Sequence, residues 1–432
     1  MRKMKDSGVA WVGAMPEDWT VKRGKFTLKL LNRPVKDTDD VITCFRDGEV
    51  TLRTNRRTDG FTVSVKEIGY QGIEPGDLVI HGMDGFAGSI GISDSRGKSS
   101  PVLVVCDTDE SKRYIMYYLR SMAYNDVFTA LATGIRVRSC DLRWNKLAEL
   151  PYILPSLPEQ NQIVSAIESN TSKVDSLIAN VQAQIEKLKA YKQSLITEVV
   201  TKGLDPTVPM KDSGVAWIGT VPEHWTVIRL KYLYDFSNGS PVRVGPFGSS
   251  LSGADITTEG VWVYNQRTVI DQNFISNTTF VSPKKAEALD SFKVKSGDIL
   301  ITTRGSIGKT AVIPNNAPSG ILHPCVIRFR IDSQKMNKEL LSLIFNETNL
   351  CLGQILDMSN STTIEVLYSY SLKEIQIPCP PMFEQESLLI KVKEIITKTN
   401  QLISLKQSKI EKLEQYKRSL IYEYVTGKKE VS

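Results

Sequence analysis

The chain has 432 residues, 41% hydrophobic and 24% charged, with a formal net charge of +6. That length supplies two or three domains with sizeable cores, and the composition is ordinary for a soluble protein rather than a disordered or fibrous one. The longest apolar runs, such as VLVVC at 102–106, are too short to span a bilayer, and the start MRKMKDSG is charged rather than a secretory signal. Six cysteines at 44, 106, 140, 325, 351 and 379 show neither paired nor metal-ligand spacing, so a reduced cytoplasmic setting without a membrane partner is expected. The positive charge permits a polyanionic partner without demanding one.

In chain order, a box MKDSGVAWVGAMPEDWTV at 4–21 leads into a first block, 22–153. There EPGDLVIHG, 74–82, reads as a glycine turn into an apolar strand. A Gly-rich stretch GFAGSIGIS follows, then a strand after Pro101 and a helical run RYIMYYLRSM, and the block closes on proline.

Residues 158–203 then run from Glu159 to Gly203 without an internal Pro or Gly and read as one helix. Val174, Ile178, Val181, Ile185, Leu188, Lys192, Leu195 and Val199 are spaced by alternating steps of four and three, the seam of a coiled coil with one charged position.

The box returns at 210–227 as MKDSGVAWIGTVPEHWTV, and a second block, 228–378, passes through the same stations: KSGDILITT, RGSIGKTAVIP, PCVIRF and KELLSLIFNE. A second long helix at 383–428 repeats the seam as Thr399, Ile403, Lys406, Ile410, Leu413, Lys417, Leu420 and Tyr424. The expectation is an α+β protein of four segments: a first globular domain over 1–153, a central long helix over 154–203, a second globular domain over 204–378 and a C-terminal long helix over 379–432. Pairing of the helices as an antiparallel coiled coil would hold the two globular domains apart about a pseudo-two-fold axis, with the first box lying near Gly427.

Several motifs suggest enzyme chemistry and fail on spacing. GSIGKT at 305–310 lacks the first glycine of a phosphate loop, because Thr303 occupies that place. Pro75, Asp77, Glu110 and Lys112 imitate a nuclease pattern, but the Gly-Asp is explained as turn chemistry. No adenine-methyltransferase tetrapeptide or cofactor loop occurs, and His81, His224 and His323 lack the neighbours of a zinc site. No catalytic or metal-ligating residue is therefore assigned.

The duplicated box, GPFGSSL at 245–251 with GVWVYNQRTV, GDILITTRGSIGK at 297–309, and PxxxEQ at Pro155–Gln160 and Pro380–Gln385 together resemble the DNA-specificity subunits of type I restriction-modification systems, over essentially the whole chain. The resemblance implies two target recognition domains, each reading half of a bipartite duplex sequence. It also implies paired helices that dock two methyltransferase subunits, which bind S-adenosylmethionine, with restriction and translocase subunits joining them; this chain itself would carry no cofactor. The first block lacks GPFGSSL and RGSIGK and looks like a different recognition subtype.

Groove readers mix Arg with hydroxyl and amide side chains, because Arg addresses guanine edges and phosphates while Asn and Gln address adenine. In the first block that pattern falls on Arg53, Arg56 and Arg57, on Arg136, Arg138 and Arg143, and on His81. In the second it falls on Arg243, Ser249, Ser250, Asn265, Gln266, Arg267, Arg304 and Lys309, with His323 as a further base or phosphate contact. The rival reading is a coiled-coil scaffold that binds only proteins.

Overall fold

The structure, a computed structural model, describes residues 2–56, 67–130, 142–237, 239–276, 278–358 and 366–431. The chain divides into two compact units, Met1–Gln182 with Gln407–Ser432, and Ala183–Lys406.

In the first unit a four-stranded antiparallel sheet runs in the order Lys29–Leu30, Leu103–Asp107, Leu78–His81, Ile90–Ile92. Its central strand is sealed on both faces: Leu78, Val79 and Ile80 are wholly buried. One face is covered by the helix Lys112–Tyr124, which buries Tyr114, Ile115, Tyr118, Leu119 and Met122, a stripe at helical spacing. In the second unit the sheet Val242–Val244, Val326–Phe329, Ile299–Thr302, Thr310–Val312 has the same order. Its helix, Lys338–Glu347, is capped by the Asn337 side chain and buries Leu340, Leu341, Ile344 and Phe345. Blocks without continuous identity thus share one core.

Around that core the units differ. The second carries a five-stranded sheet in the order Ile256–Thr257, Phe280–Val281, Val261–Tyr264, Gly320–Leu322, Lys293–Val294. The first has two-stranded pieces instead, Ile42–Cys44 with Val50–Leu52 and Gln71–Ile73 with Gly97–Ser99.

The Gly-Asp turns do more than reverse the chain. Gly76 and Gly297 hold φ of +87° and +76°, open to glycine at low cost. The following carboxylates, Asp77 and Asp298, accept the backbone N–H of Glu74 and Lys295 at 2.8 Å. Each is buried, so each also takes a guanidinium, Arg33 for Asp77 and Arg330 for Asp298.

The long helices span Leu157–Lys202 and Met382–Val425. Within the first unit Lys417 Nζ lies 2.6 Å from Asp175 and Asn170 Nδ2 lies 3.4 Å from the Tyr424 hydroxyl; within the second, Lys406 reaches Gln184 at 2.6 Å and Lys192 reaches Asn400 at 3.5 Å. One number rises as the other falls, so the pairing is antiparallel. Every seam residue is buried or half-buried, whereas the off-seam Leu177, Leu402 and Leu405 are exposed. The charged seam position is met by a partner outside the helix pair: Lys192 Nζ lies 2.8 Å from Glu347. Towards its end the first long helix turns a different stripe inward, so Ile196 is fully buried while Leu195 is only partly so, because Ile196, Val199 and Val200 pack on the globular core around Trp225.

The repeated motifs explain how each helix is seated. Gln160 and Gln385 donate to the carbonyls of Pro155 and Pro380 at 3.0 and 2.9 Å, and accept the N–H groups of Ser111 and Asn337 at 2.9 and 2.7 Å. Both amides are fully buried and tie the long helix to the start of the short one. Trp19 and Trp225, from the two boxes, donate their indole N–H to Glu159 and Glu384 at 3.1 and 2.9 Å. The expected place of the first box is found: a Cβ on Gly427 would meet Pro16 at 2.3 Å and Trp19 at 3.1 Å, as one on Gly203 would meet Trp225 at 3.3 Å.

Candidate nucleic-acid interface

Four loops of the second unit meet where strands of its two sheets end. Gly245 donates its N–H to the Val326 carbonyl at 3.0 Å, and a Cβ on Gly245 would lie 2.0 Å from the His323 carbonyl oxygen. Next along, His323 N–H donates to Tyr264 O at 3.1 Å, and Thr303 donates through N–H and hydroxyl to Cys325 O at 3.2 and 3.0 Å. The Gln266 amide donates to Arg304 O at 2.6 Å. Segments 245–251, 264–267, 303–309 and 323–325 therefore form one stitched edge. It contains Arg267, Arg304 and Lys309 and no Asp or Glu.

The RGSIGK segment is a β-turn region between antiparallel strands, closed by Thr302, whose N–H donates to Lys309 O at 2.9 Å and whose hydroxyl oxygen accepts Lys309 N–H at 3.0 Å. Gly305 and Gly308 hold φ of +63° and +79°. A strand, Thr310–Val312, follows rather than the helix on which a phosphate loop depends.

The expected contact residues fall into groups. Ser249, Ser250, Arg267 and Arg304 are exposed. Arg304 has no side-chain partner among the described residues, and Arg267 is 88% exposed at its side chain with only Asp271 one turn away at 3.2 Å. Lys309 is exposed, but its ammonium donates to the Asn346 carbonyl at 3.2 Å.

Others serve the scaffold. Asn265 caps a short helix, its oxygen accepting Thr268 N–H at 3.0 Å and its amide donating to Thr279 at 2.9 Å, so its base-reading groups are already engaged. Arg243 does not stand at the surface edge. It lies directly across the strand pair from Arg328, its guanidinium is 5.4 Å from the Phe292 ring centre, and its Nε is buried without a partner among the described residues. Asp298 offsets this cluster through Arg330 at 2.7 Å, and burial together with Arg330 and Arg243 pulls the Arg328 pKa down.

The histidines are also turned inward. His81 Nδ1 accepts the N–H of Asp84 at 3.0 Å, and His323 Nδ1 accepts that of Cys325 at 3.2 Å. Burial lowers both pKa values, and a lone pair on Nδ1 is what the neutral ring offers. His224 pairs instead with Glu384 at 2.7 Å.

In the first unit Arg56 is neutralised by Asp47 at 2.6 Å and Glu49 at 3.0 Å and lies 4.2 Å over the Phe45 ring, while Arg53 bonds Thr43 at 3.3 Å. Arg57, Arg136 and Arg138 lie outside the described residues, and Arg143 precedes the short helix Trp144–Leu147. The nuclease-like set does not assemble: Asp77 is held by Arg33, Glu110 accepts from Gln160 at 2.7 Å, and Lys112 pairs with Asp107 at 2.7 Å. Among the described residues no helix is long and apolar enough to cross a membrane.

Sequence reasoning passed over the exposed aromatics of the second unit. Phe247 is 83% exposed, and Tyr368 and Tyr370 stack in the open with ring centres 5.3 Å apart. An aromatic between a proline and a glycine, as in GPFG, is the signal that could have marked the first.

Residues 247–415 match the family model described as the type I restriction modification DNA specificity domain. The type I restriction enzyme MjaVIII specificity subunit of Methanocaldococcus jannaschii is 24% identical over 424 residues, covering 96% of this chain and 93% of the relative. The putative MjaX specificity subunit of the same organism is 26% identical over 318 residues, covering 73% and 67%. A solved chain, from work on complex assembly and conformational transition of the type I R-M system, shares the fold with a TM-score of 0.64 at 15% identity, covering 96% of this chain and 99% of its own. Domain match, one near-full-length relative and shared fold agree: residues 247–415 carry a type I restriction modification DNA specificity domain, and the chain as a whole is similar to type I specificity subunits.

Proposed function

We propose that the chain binds duplex DNA sequence-specifically, each unit reading one half of a bipartite target, and that methylation and restriction are carried by partner subunits. The observation that carries this reading is the stitched edge of the second unit, where Arg267, Arg304 and Lys309 stand with the exposed hydroxyls of Ser249 and Ser250 and none of the four segments contains an Asp or Glu. Cations grip phosphate and fix register, while amide, hydroxyl and guanidinium groups address base edges. The helices supply the partner surface. Outside the seam, Leu177 and Tyr416 in the first unit and Tyr191, Leu402 and Leu405 in the second are each at least 48% exposed and offer apolar contacts for that surface. They suit two methyltransferase subunits, which would bring S-adenosylmethionine, and a cytoplasmic setting where DNA is reached directly.

Binding of the full chain, alone and with its methyltransferase partner, is to be measured against salt on a duplex carrying the sequence found methylated in cells. A specific reader that neutralises several phosphates loses affinity steeply as salt rises, with a slope near −0.9 per phosphate. Equal affinity for scrambled DNA, or no dependence on salt, would favour the protein-only scaffold.

A further inference from the structure

Phe247 is the most exposed large aromatic side chain among the described residues, at 83%. Its main chain is nonetheless held on both sides. Before it, Gly245 is pressed against the His323 carbonyl and bonded to Val326, and Pro246 is buried. After it, the N–H groups of Ser250 and Leu251 donate back to Phe247 O at 2.8 and 3.1 Å. Leu251 then plugs into the apolar cluster of Val263, Val281 and Ile321. A ring so exposed on so fixed a support is presented outward by the fold.

What it meets is set by its surroundings. The four segments of the stitched edge carry Arg267, Arg304 and Lys309 and no Asp or Glu, with Asp271 one turn behind Arg267, and the loop 245–250 itself is uncharged. Such a rim attracts a polyanion. Phosphates offer nothing to an apolar ring, but a duplex offers a base step that the ring can part.

We propose that Phe247 is a wedge that enters the base stack of duplex DNA in the half-site read by the second unit. The inference rests on the DNA-reading function proposed above and adds a deformation to it. Unstacking one step is the distortion that chemistry on a base inside a duplex needs. The cationic rim holds the backbone while the ring parts the step.

The test uses the full chain and duplexes carrying the sequence mapped as methylated in cells, with 2-aminopurine placed at successive positions of the half-site. Wild-type binding should raise the fluorescence at one step. Phe247→Ala should abolish that rise and weaken specific binding by about tenfold or more, the scale of one lost aromatic–base stack. Phe247→Trp should retain both. Since the side chain is exposed, circular dichroism and thermal midpoint should be unchanged in either variant.

A wild-type chain that binds this duplex specifically but raises fluorescence at no position, or an Ala variant that behaves as wild type, would overturn the wedge while leaving the DNA-reading function standing. A wild-type chain that does not bind the duplex would overturn both.

Discussion

Trp19 donates its indole N–H to Glu159 across 3.1 Å, joining the repeated box at the start of the chain to the first turn of the central helix. Glu159 is also held by Arg2, which pairs with Asp18 as well, so one carboxylate gathers three segments of the first unit. Trp225 and Glu384 do the same in the second unit at 2.9 Å, with His224 in place of Arg2. The box is therefore a buttress for the helix start, which is why it recurs wherever a long helix begins or ends. Trp19→Phe keeps most of the apolar volume and loses the donor, and should cost about 1–3 kcal/mol, whereas Trp19→Ala should cost about 3–5 kcal/mol. Urea unfolding of the two variants beside the wild type measures both; a Trp19→Phe protein as stable as the wild type would show that the indole donor contributes nothing.

Acid should loosen the first unit through Asp39. Arg96 donates to both of its oxygens at 2.9 and 2.8 Å, and the Lys36 N–H adds a third bond at 2.8 Å. The Arg96 hydrogen bonds bring the Asp39 pKa down to about 2, below the unfolded value of about 3.9. A depressed folded pKa gives stability that is complete above the unfolded pKa and lost as pH falls through the folded one. Unfolding free energy should therefore drop between about pH 5 and pH 2. Asp39→Asn should flatten part of that slope and destabilise the protein at neutral pH, since Arg96 then keeps only Glu74 as a charged partner. An unchanged slope in the variant would remove Asp39 as its source.

The seam lysine and Glu347 form a pair whose side chains are 18% and 23% exposed. Lys192→Met alone leaves the Glu347 carboxylate half-buried and unpaired and should destabilise the protein. The double variant with Glu347→Gln should recover part of the loss, giving a coupling energy of about 1–3 kcal/mol in a double-mutant cycle. Additive effects would mean that the lysine is tolerated in the seam for some reason other than this pair.

Arg304→Ala tests the stitched edge. If its guanidinium forks onto guanine, the loss should be about 1–3 kcal/mol with relaxed specificity at one position; if it grips phosphate, all sequences should weaken evenly and the salt slope should fall by about one. Unaltered affinity and specificity would take Arg304 off the DNA surface.

The repeats carried much of the architecture. Alternating fours and threes from Val174 to Val199 marked a buried seam, and KSGDILITT and EPGDLVIHG marked the central strands, because backbone periodicity writes itself into hydrophobic spacing. The five-stranded sheet was not legible, since its strands are two to four residues long and one pairs in parallel across more than fifty residues. Side-chain commitment at the candidate interface was not legible either. Composition cannot tell that Asn265 is spent on a helix cap, that Arg243 packs on Phe292, or that Arg56 is neutralised by Asp47 and Glu49, because each depends on a contact made only when the chain has folded.

Modular reading is the central claim, and exchange of one block tests it most directly. Residues 22–153 lie wholly in the first unit, so replacing them with the corresponding block of a relative leaves the second unit, its stitched edge and both helices as they are. Adenine-methylation mapping in cells that carry the chimera with its methyltransferase partner should show one half of the target sequence changed and the other retained. A change in both halves, or in neither with methylation intact, would contradict the account.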